Sequence, residues 1–294
     1  MRIGFIGLGR MGNPMAKHLL EKGFQVVVND IVEKAVKELE AAGATRGATP
    51  AEVARQSDIV LTCLPTVKSV EDVYLGRNGI YEGTRKGQIV ADHSTVNRRT
   101  SLRMAEEGAK RGVLFLDAPI SGGPEGAQQA TLSIMVGGDR AAFEKARPAF
   151  EAMGRLIRYM GKSGSGTVTK LVNQLLTAVH IVAAGEALVL GTKAGVNPKE
   201  LIDVLMVSYG YSKQLERLAP MALSRKFIAG GPNHIINKDI TCALELARDV
   251  GSPTPLLEAT FAISNRVMEM GLQDWDMASM MVALEKEAGV EVKE

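Results

Sequence analysis

From residue 1 to about 160, short runs that are apolar on both faces alternate with stretches of helical periodicity. The runs are RIGFIG, QVVVND, DIVLTCL, QIVAD, VLFLDA, TLSIMVGG and RLIRYM, separated by segments such as 13–22 and 98–111. Strands without a polar face belong to a sheet covered on both sides, and their alternation with helices builds βαβ units around a mostly parallel sheet. After Ser163 the strand signal stops, and helices read at about 165–194, 198–206, 238–250, 255–270 and 276–288. The expected architecture is therefore a doubly wound α/β domain at residues 1–162 followed by an all-α domain at residues 163–294.

The boundary falls in Gly161-Lys162-Ser163-Gly164-Ser165-Gly166, a flexible run whose serines are expected to cap the helix that follows. That helix, of about 30 residues, would be about 45 Å long at 1.5 Å per residue, enough to join both domains and pack on each. Its stretch Leu171 to Leu190 is the most apolar in the chain, but Asn173, Gln174, His180 and Glu186 interrupt it. A core helix is expected, not a membrane span. The opening MRIGFIGLG is too short for the apolar region of a signal peptide and reads as a buried strand. The closing EKEAGVEVKE reads as a solvated tail.

Composition narrows the class without naming a chemistry. Hydrophobic residues make up 46%, charged residues 23%, and the formal charge is +2, which excludes a disordered chain and gives no basic footprint for nucleic acid. The two cysteines, Cys63 and Cys242, are far apart and outside any CxxC pair, so neither a disulfide framework nor a thiolate zinc site is expected and a reducing cytoplasm fits. His18, His93, His180 and His234 lack metal-ligand spacing, so no metal is expected. Met268, Met270, Met277, Met280 and Met281 are expected to pack the helical domain or a subunit interface.

Gly7-Leu8-Gly9-Arg10-Met11-Gly12 has the G-x-G-x-x-G spacing between a strand and a helix. In such a turn the first glycine permits the bend, the second admits a diphosphate to the backbone, and the third lets helix and strand pack closely. The next strand ends at Asn29-Asp30, about 20 residues on, where a carboxylate can hold the adenosine ribose hydroxyls. No arginine follows in Ile31 to Lys34 to receive a 2′-phosphate, so NAD is favoured over NADP. Asp30 can equally cap the helix beginning near Val32, and the two roles are compatible.

Several motifs in one order give the chain a resemblance to the β-hydroxyacid dehydrogenases. They are GFIGLGRMGNPMAKHLL at 4–20, CLP at 63–65, DHST at 92–95, DAPISGGPEGA at 117–127, GSGTVTKLVNQ at 164–174, KD at 238–239 and GLQDWDMAS at 271–279. The resemblance covers nearly the whole chain. It implies a Rossmann-type domain, a long interdomain helix and a helical domain that contributes to oligomerisation, as a homodimer or homotetramer. Residues matching Leu64, Pro65 and Thr95 border the nicotinamide half of the cofactor in that family. The segment matching Ser121-Gly122-Gly123 holds the substrate carboxylate, the residue matching Lys170 is the catalytic acid/base, and the one matching Asn173 assists it. Lys238 matches a lysine that closes over the cofactor, with Asp239 as its acidic neighbour.

The residues themselves agree on the central point. Lys170 and Asn173 share a face near the start of the long helix, where a positive helix terminus and partial burial both disfavour the ammonium and move its pKa toward a range useful for proton transfer. Consecutive amides at Ser121-Gly122-Gly123 can converge on an anion, or the run can be a plain flexible turn. Two positions depart from the family pattern. Arg98 stands where its STxxP segment has proline, and Gly231 stands seven residues before the KD pair, where an aromatic is common. The expectation is hydride transfer between NAD(P) and a small hydroxy-carboxylate or semialdehyde, of the 3-hydroxyisobutyrate or tartronate semialdehyde type. Glyoxylate or succinic semialdehyde reduction is the alternative, and a non-catalytic dinucleotide-binding module the alternative of another class.

Overall fold

All seven apolar runs form strands, joined by two strands of two residues each. In chain order they are β1 (Arg2–Ile6), β2 (Gln25–Asn29), β3 (Thr45–Arg46), β4 (Ile59–Thr62), β5 (Ile89–Asp92), β6 (Leu114–Asp117), β7 (Ile120–Ser121), β8 (Leu132–Gly138) and β9 (Gly154–Gly161). The computed structural model describes residues 1–228 and 230–294, in two compact units, Met1–Lys170 and Leu171–Glu294. The first unit holds the sheet. Strands β3, β2, β1, β4, β5 and β6 lie side by side and parallel, while β8 runs antiparallel to β6 and β7 and parallel to β9.

Strict alternation explains why the strands lack a polar face. Ile3, Phe5, Val26, Val28, Ile59, Leu61, Ile89 and Leu116 pack with Met15, Leu19, Leu39, Phe143 and Phe150 on one side of the sheet. The residues between them, Val27, Val60, Val90 and Phe115, pack with Val53, Val70, Tyr74 and Met104 on the other. Each such buried side chain contributes about 1.5–3 kcal/mol, so both helical layers are held firmly.

The second unit is all-helical in its described residues: Pro198–Leu205, Lys213–Ser224, Asn233–Val250, Pro255–Glu269 and Met280–Ala288, with a 3₁₀ turn at Met277–Ser279. The helix Lys213–Ser224 was not expected. Pro220 lies inside it and removes a backbone donor, but Ser212 caps its start by accepting from Leu215 N at 3.0 Å, and Leu215, Leu218 and Ala222 are buried. Asn233–Val250 begins five residues before the expected 238.

Two further expectations are corrected. The long helix Ser165–Lys193, across which the division between the units falls, is not a core helix throughout: Val172, Leu176, His180, Ala183, Ala187 and Leu190 form an exposed stripe. By length and composition alone it could cross a bilayer. The chain terminus is not wholly solvated either. Val292 is buried, its amide donates to Glu285 Oε1 at 2.7 Å, and Arg225 donates to both Glu285 oxygens and to the Val292 carbonyl. Glu291, 3.3 Å from Arg225 Nε, adds an ion pair to this anchor.

Candidate active site

Every candidate residue of the first unit except Lys170 lies at or just past the carboxyl end of a strand. Gly7 to Gly12 follow β1, Asn29 and Asp30 end β2, Leu64 and Pro65 follow β4, Thr95 follows β5, and Ser121 to Gly123 follow β6 and β7. Strand order reverses between β1 and β4, which is where open α/β sheets form a ligand crevice.

The three glycines of the first turn have separate structural causes. Gly7 has φ +92°, and a Cβ there would stand 2.3 Å from the Cys63 carbonyl oxygen. A Cβ on Gly12 would stand 1.9 Å from the Gly7 carbonyl oxygen, so helix and strand touch through backbone. At Gly9 nothing lies within 4 Å, which leaves the backbone open to a ligand. The helix Gly12–Glu21 has no side-chain cap and no acid in its first turn. By contrast, Thr49, Thr66, Asn97 and Asp139 each cap the helix they precede in the same unit. With no side chain capping the first amides of this helix, the turn fits a dinucleotide diphosphate.

Asp30 braces the turn, while the helix Glu33–Ala41 that follows starts at Val32 without a side-chain cap. Asp30 Oδ2 accepts from Leu8 N at 2.5 Å and Oδ1 from Val32 N at 2.7 Å, which ties the glycine turn to the end of β2. Leu8 itself is buried, Met11 partly buried, and Arg10 exposed beside Gly9. Asn29 donates from its side-chain amide to the Gly47 carbonyl at 2.8 Å, which fixes it at the end of β2.

Behind Leu64, Pro65 and Thr95 lies a buried network that sequence reading missed. Tyr74 and Thr62 share a hydrogen bond, Thr62 Oγ1 donates to Asp92 Oδ1 at 2.7 Å, and Ser94 Oγ donates to the same oxygen at 2.6 Å. Ser94 Oγ in turn accepts from Leu64 N at 2.8 Å. The carboxylate of Asp92 therefore fixes the loops after β4 and β5 to each other. His93 faces away: Nδ1–H donates to the Ala118 carbonyl at 2.7 Å, and burial pushes its pKa down to about 4. Tyr74, also buried, has its hydroxyl pKa pushed well up by desolvation.

Gly122 and Gly123 both have positive φ, +136° and +64°, and the short helix Gly123–Gln128 has no side-chain cap. Such glycines can turn consecutive amides toward an anion, as a nest does. Glu125 lies in the first turn of that helix, with Oε2 3.1 Å from where a Gly123 Cβ would be, so the turn is not uniformly positive.

Lys170 is 7% exposed, in the second turn of the long helix. The helix start departs from expectation in two ways. Neither neighbouring serine caps it. Instead Asp117, at the end of β6, accepts from Gly164 N and Thr167 N, each at 2.8 Å. A carboxylate thus occupies the positive helix terminus and opposes the field that was expected to disfavour the ammonium. Burial raises the Asp117 pKa, while the amide bonds pull it back.

In the second unit Asn173 belongs to a polar chain. Its Nδ2 donates to Gln174 Oε1 at 2.9 Å, Gln174 Nε2 donates to Asp239 Oδ2 at 2.5 Å, and Lys238 Nζ lies 2.9 Å from Asp239 Oδ1. Gln174, missed by sequence reading, is buried and four residues from Lys170, on the same helix face. Gly231 is also accounted for: its amide and that of Gly230 donate to buried Asp276, and a Cβ on Gly231 would stand 2.5 Å from Met277 Cε. At Arg98, the first residue of a helix capped by Asn97, the start is regular, in a position that tolerates proline equally. Among the described residues no three His, Cys, Asp or Glu side chains gather to hold a metal ion.

A doubly wound sheet, an open glycine turn on an uncapped helix and a buried lysine define a dinucleotide-binding dehydrogenase or reductase. Residues 2–161 match the family described as NAD binding domain of 6-phosphogluconate dehydrogenase, and residues 164–284 that described as NAD-binding of NADP-dependent 3-hydroxyisobutyrate dehydrogenase. The chain is 36% identical over 293 residues to 2-(hydroxymethyl)glutarate dehydrogenase of Eubacterium barkeri, covering 99% of this chain and 97% of that one. It is 36% identical over 285 residues to 2-hydroxy-3-oxopropionate reductase of Escherichia coli, covering 97% of each. The solved structure of Mycobacterium tuberculosis 3-hydroxyisobutyrate dehydrogenase with L-serine matches with a TM-score of 0.88 at 30% identity, covering 96% of this chain and 98% of that one. The chain belongs to the β-hydroxyacid dehydrogenase family.

Proposed function

We propose that this chain catalyses reversible hydride transfer between NAD and a small β-hydroxy-carboxylate or its semialdehyde. The observation that carries the reading is Lys170, a lysine 7% exposed near the start of the helix seated at the end of β6. Such burial is costly for a surface residue and useful for a proton carrier. The compounds in the relatives' names, 2-(hydroxymethyl)glutarate, 2-hydroxy-3-oxopropionate and 3-hydroxyisobutyrate, all place the reacting carbon β to a carboxylate. Of these, 3-hydroxyisobutyrate and tartronate semialdehyde are the leading substrates, ahead of succinic semialdehyde and glyoxylate.

A bound nicotinamide dinucleotide supplies the hydride acceptor or donor. Gly9 to Gly12 hold its diphosphate, Asp30 selects against a 2′-phosphate, and Leu64, Pro65 and Thr95 border the nicotinamide. Ser121 and the amides of Gly122 and Gly123 hold the substrate carboxylate. In oxidation, neutral Lys170 takes the hydroxyl proton; in reduction, its ammonium returns one to the oxygen, while Asn173 orients that oxygen. Lys238 is a further residue that the family resemblance assigns to the cofactor. General acid/base help of this kind contributes about 10²–10⁴-fold.

The exposed stripe on Leu171–Lys193, together with exposed Val204, Val207 and Tyr209, supports association into a homodimer or homotetramer. The two cysteines, Cys63 and Cys242, lie far apart in sequence and outside any CxxC pair, which supports a reducing, cytoplasmic setting. The deciding experiment assays hydroxy acids and semialdehydes with NAD and NADP in the wild type and in Lys170→Ala. The variant should lose turnover by at least about 10²-fold while dinucleotide affinity stays within about twofold. Near-normal turnover in the variant removes Lys170 from its role.

A further inference from the structure

Asp117 stands between the two parts of the chemistry proposed above. Four residues after it in sequence begins the Ser121-Gly122-Gly123 turn, and three residues after its partner Thr167 comes Lys170. Its carboxylate accepts from Gly164 N and Thr167 N, at a sequence separation of 47 and 50 residues, although Ser163 and Ser165 flank the helix start and could have served locally.

The surroundings leave this carboxylate one position. A Cβ on Gly137 would stand 2.6 Å from Asp117 Oδ1. A Cβ on Gly166 would stand 2.3 Å from the Met135 carbonyl oxygen and 2.4 Å from that of Asp117, so the first turn of the helix rests backbone to backbone on the ends of β6 and β8. Gly164 reaches this contact with φ +88°. The other side of Asp117 is equally fixed: Ala118 N donates to the Asp92 carbonyl at 2.8 Å, Met135 N to the Pro119 carbonyl at 3.1 Å, and Ser121 pairs with Ser133.

We propose that Asp117 is a positioning residue for proton transfer: it locks the helix bearing Lys170 to the strand leading into the Ser121-Gly122-Gly123 turn, so the amine and the carboxylate-holding amides keep a single separation. This rests on the function proposed for those residues. Misplacement by about 1 Å can cost on the order of 10²-fold in rate, whereas the dinucleotide turn after β1 does not depend on this joint.

Asp117→Asn keeps the shape but has only one oxygen to accept two amides. The expected result is a kcat lower by about tenfold to a hundredfold, KM for the dinucleotide within about twofold, and faster exchange of the Gly164 and Thr167 amides. Gly137→Ala presses on the same carboxylate and on Gly166 N, 2.8 Å from the added Cβ, and should give the same split between kcat and KM. A folded Asp117→Asn enzyme with kcat within about twofold of wild type, or equal losses in kcat and dinucleotide affinity, overturns the assignment. A wild-type chain without turnover overturns the functional reading and this assignment with it; wild-type turnover with unchanged variants overturns the assignment alone.

Discussion

Asp30 Oδ2 accepts a hydrogen bond from the amide of Leu8 across 2.5 Å, so the acid that ends the second strand also shapes the glycine turn after the first. In the function proposed, the carboxylate at this brace meets the ribose that carries the 2′-phosphate in NADP. NAD should therefore be used with a higher kcat/KM than NADP. Asp30→Ser keeps an accepting oxygen and removes the charge, and should narrow that preference by about tenfold, near 1.4 kcal/mol. Steady-state kinetics with both cofactors checks this; an unchanged ratio would show that discrimination lies elsewhere.

Gly9 and Gly12 should respond oppositely to the same methyl group. With nothing within 4 Å of its Cβ position, Gly9→Ala should fold with an unchanged melting temperature and lose dinucleotide affinity by roughly tenfold. Gly12→Ala would press a methyl to 1.9 Å from the Gly7 carbonyl oxygen and should destabilise the fold by about 1–3 kcal/mol or more. Thermal melts with and without NAD separate the two.

Acid should destabilise the chain in part through His93. The histidine is neutral in the fold, its pKa lowered from 6.5 to about 4 by burial, while in the unfolded chain it takes up a proton as pH falls below about 6.5. Its contribution is thus intact above that pH and declines toward pH 4, by up to about 3 kcal/mol. His93→Met should flatten the stability profile over this window in denaturant titrations, whatever its effect at pH 7.

Removing residues 290–294 should cost about 1.5–3 kcal/mol from Val292 alone, lowering the melting temperature by roughly 3–12 °C. Calorimetry of the truncated chain tests this; an unchanged melt would mean that the pairing of Arg225 with Glu285 is sufficient without the tail.

What could be read from sequence was local. Apolar runs such as DIVLTCL marked strands because both their faces are buried, and the G-x-G-x-x-G turn announced itself by spacing. What could not be read depended on partners distant in the chain. Asp117 replaces the serines as a cap from 47 residues away, Gln174 meets Asp239 across 65, and Arg225 holds Glu285 across 60. A signal for the first was present: two successive apolar strands, IVAD and LFLD, each close on an aspartate, and both carboxylates turn out to organise loops at the site. In the helix Lys213–Ser224 the buried Leu215 and Leu218 outweigh the one backbone donor that Pro220 lacks.

The anchored terminus also bears on handling the protein. A purification tag fused after Glu294 would begin three residues beyond a side chain with no solvent contact, close to the Arg225 clamp. Met1 is half exposed, so the opposite end is the place for affinity handles and for surface immobilisation.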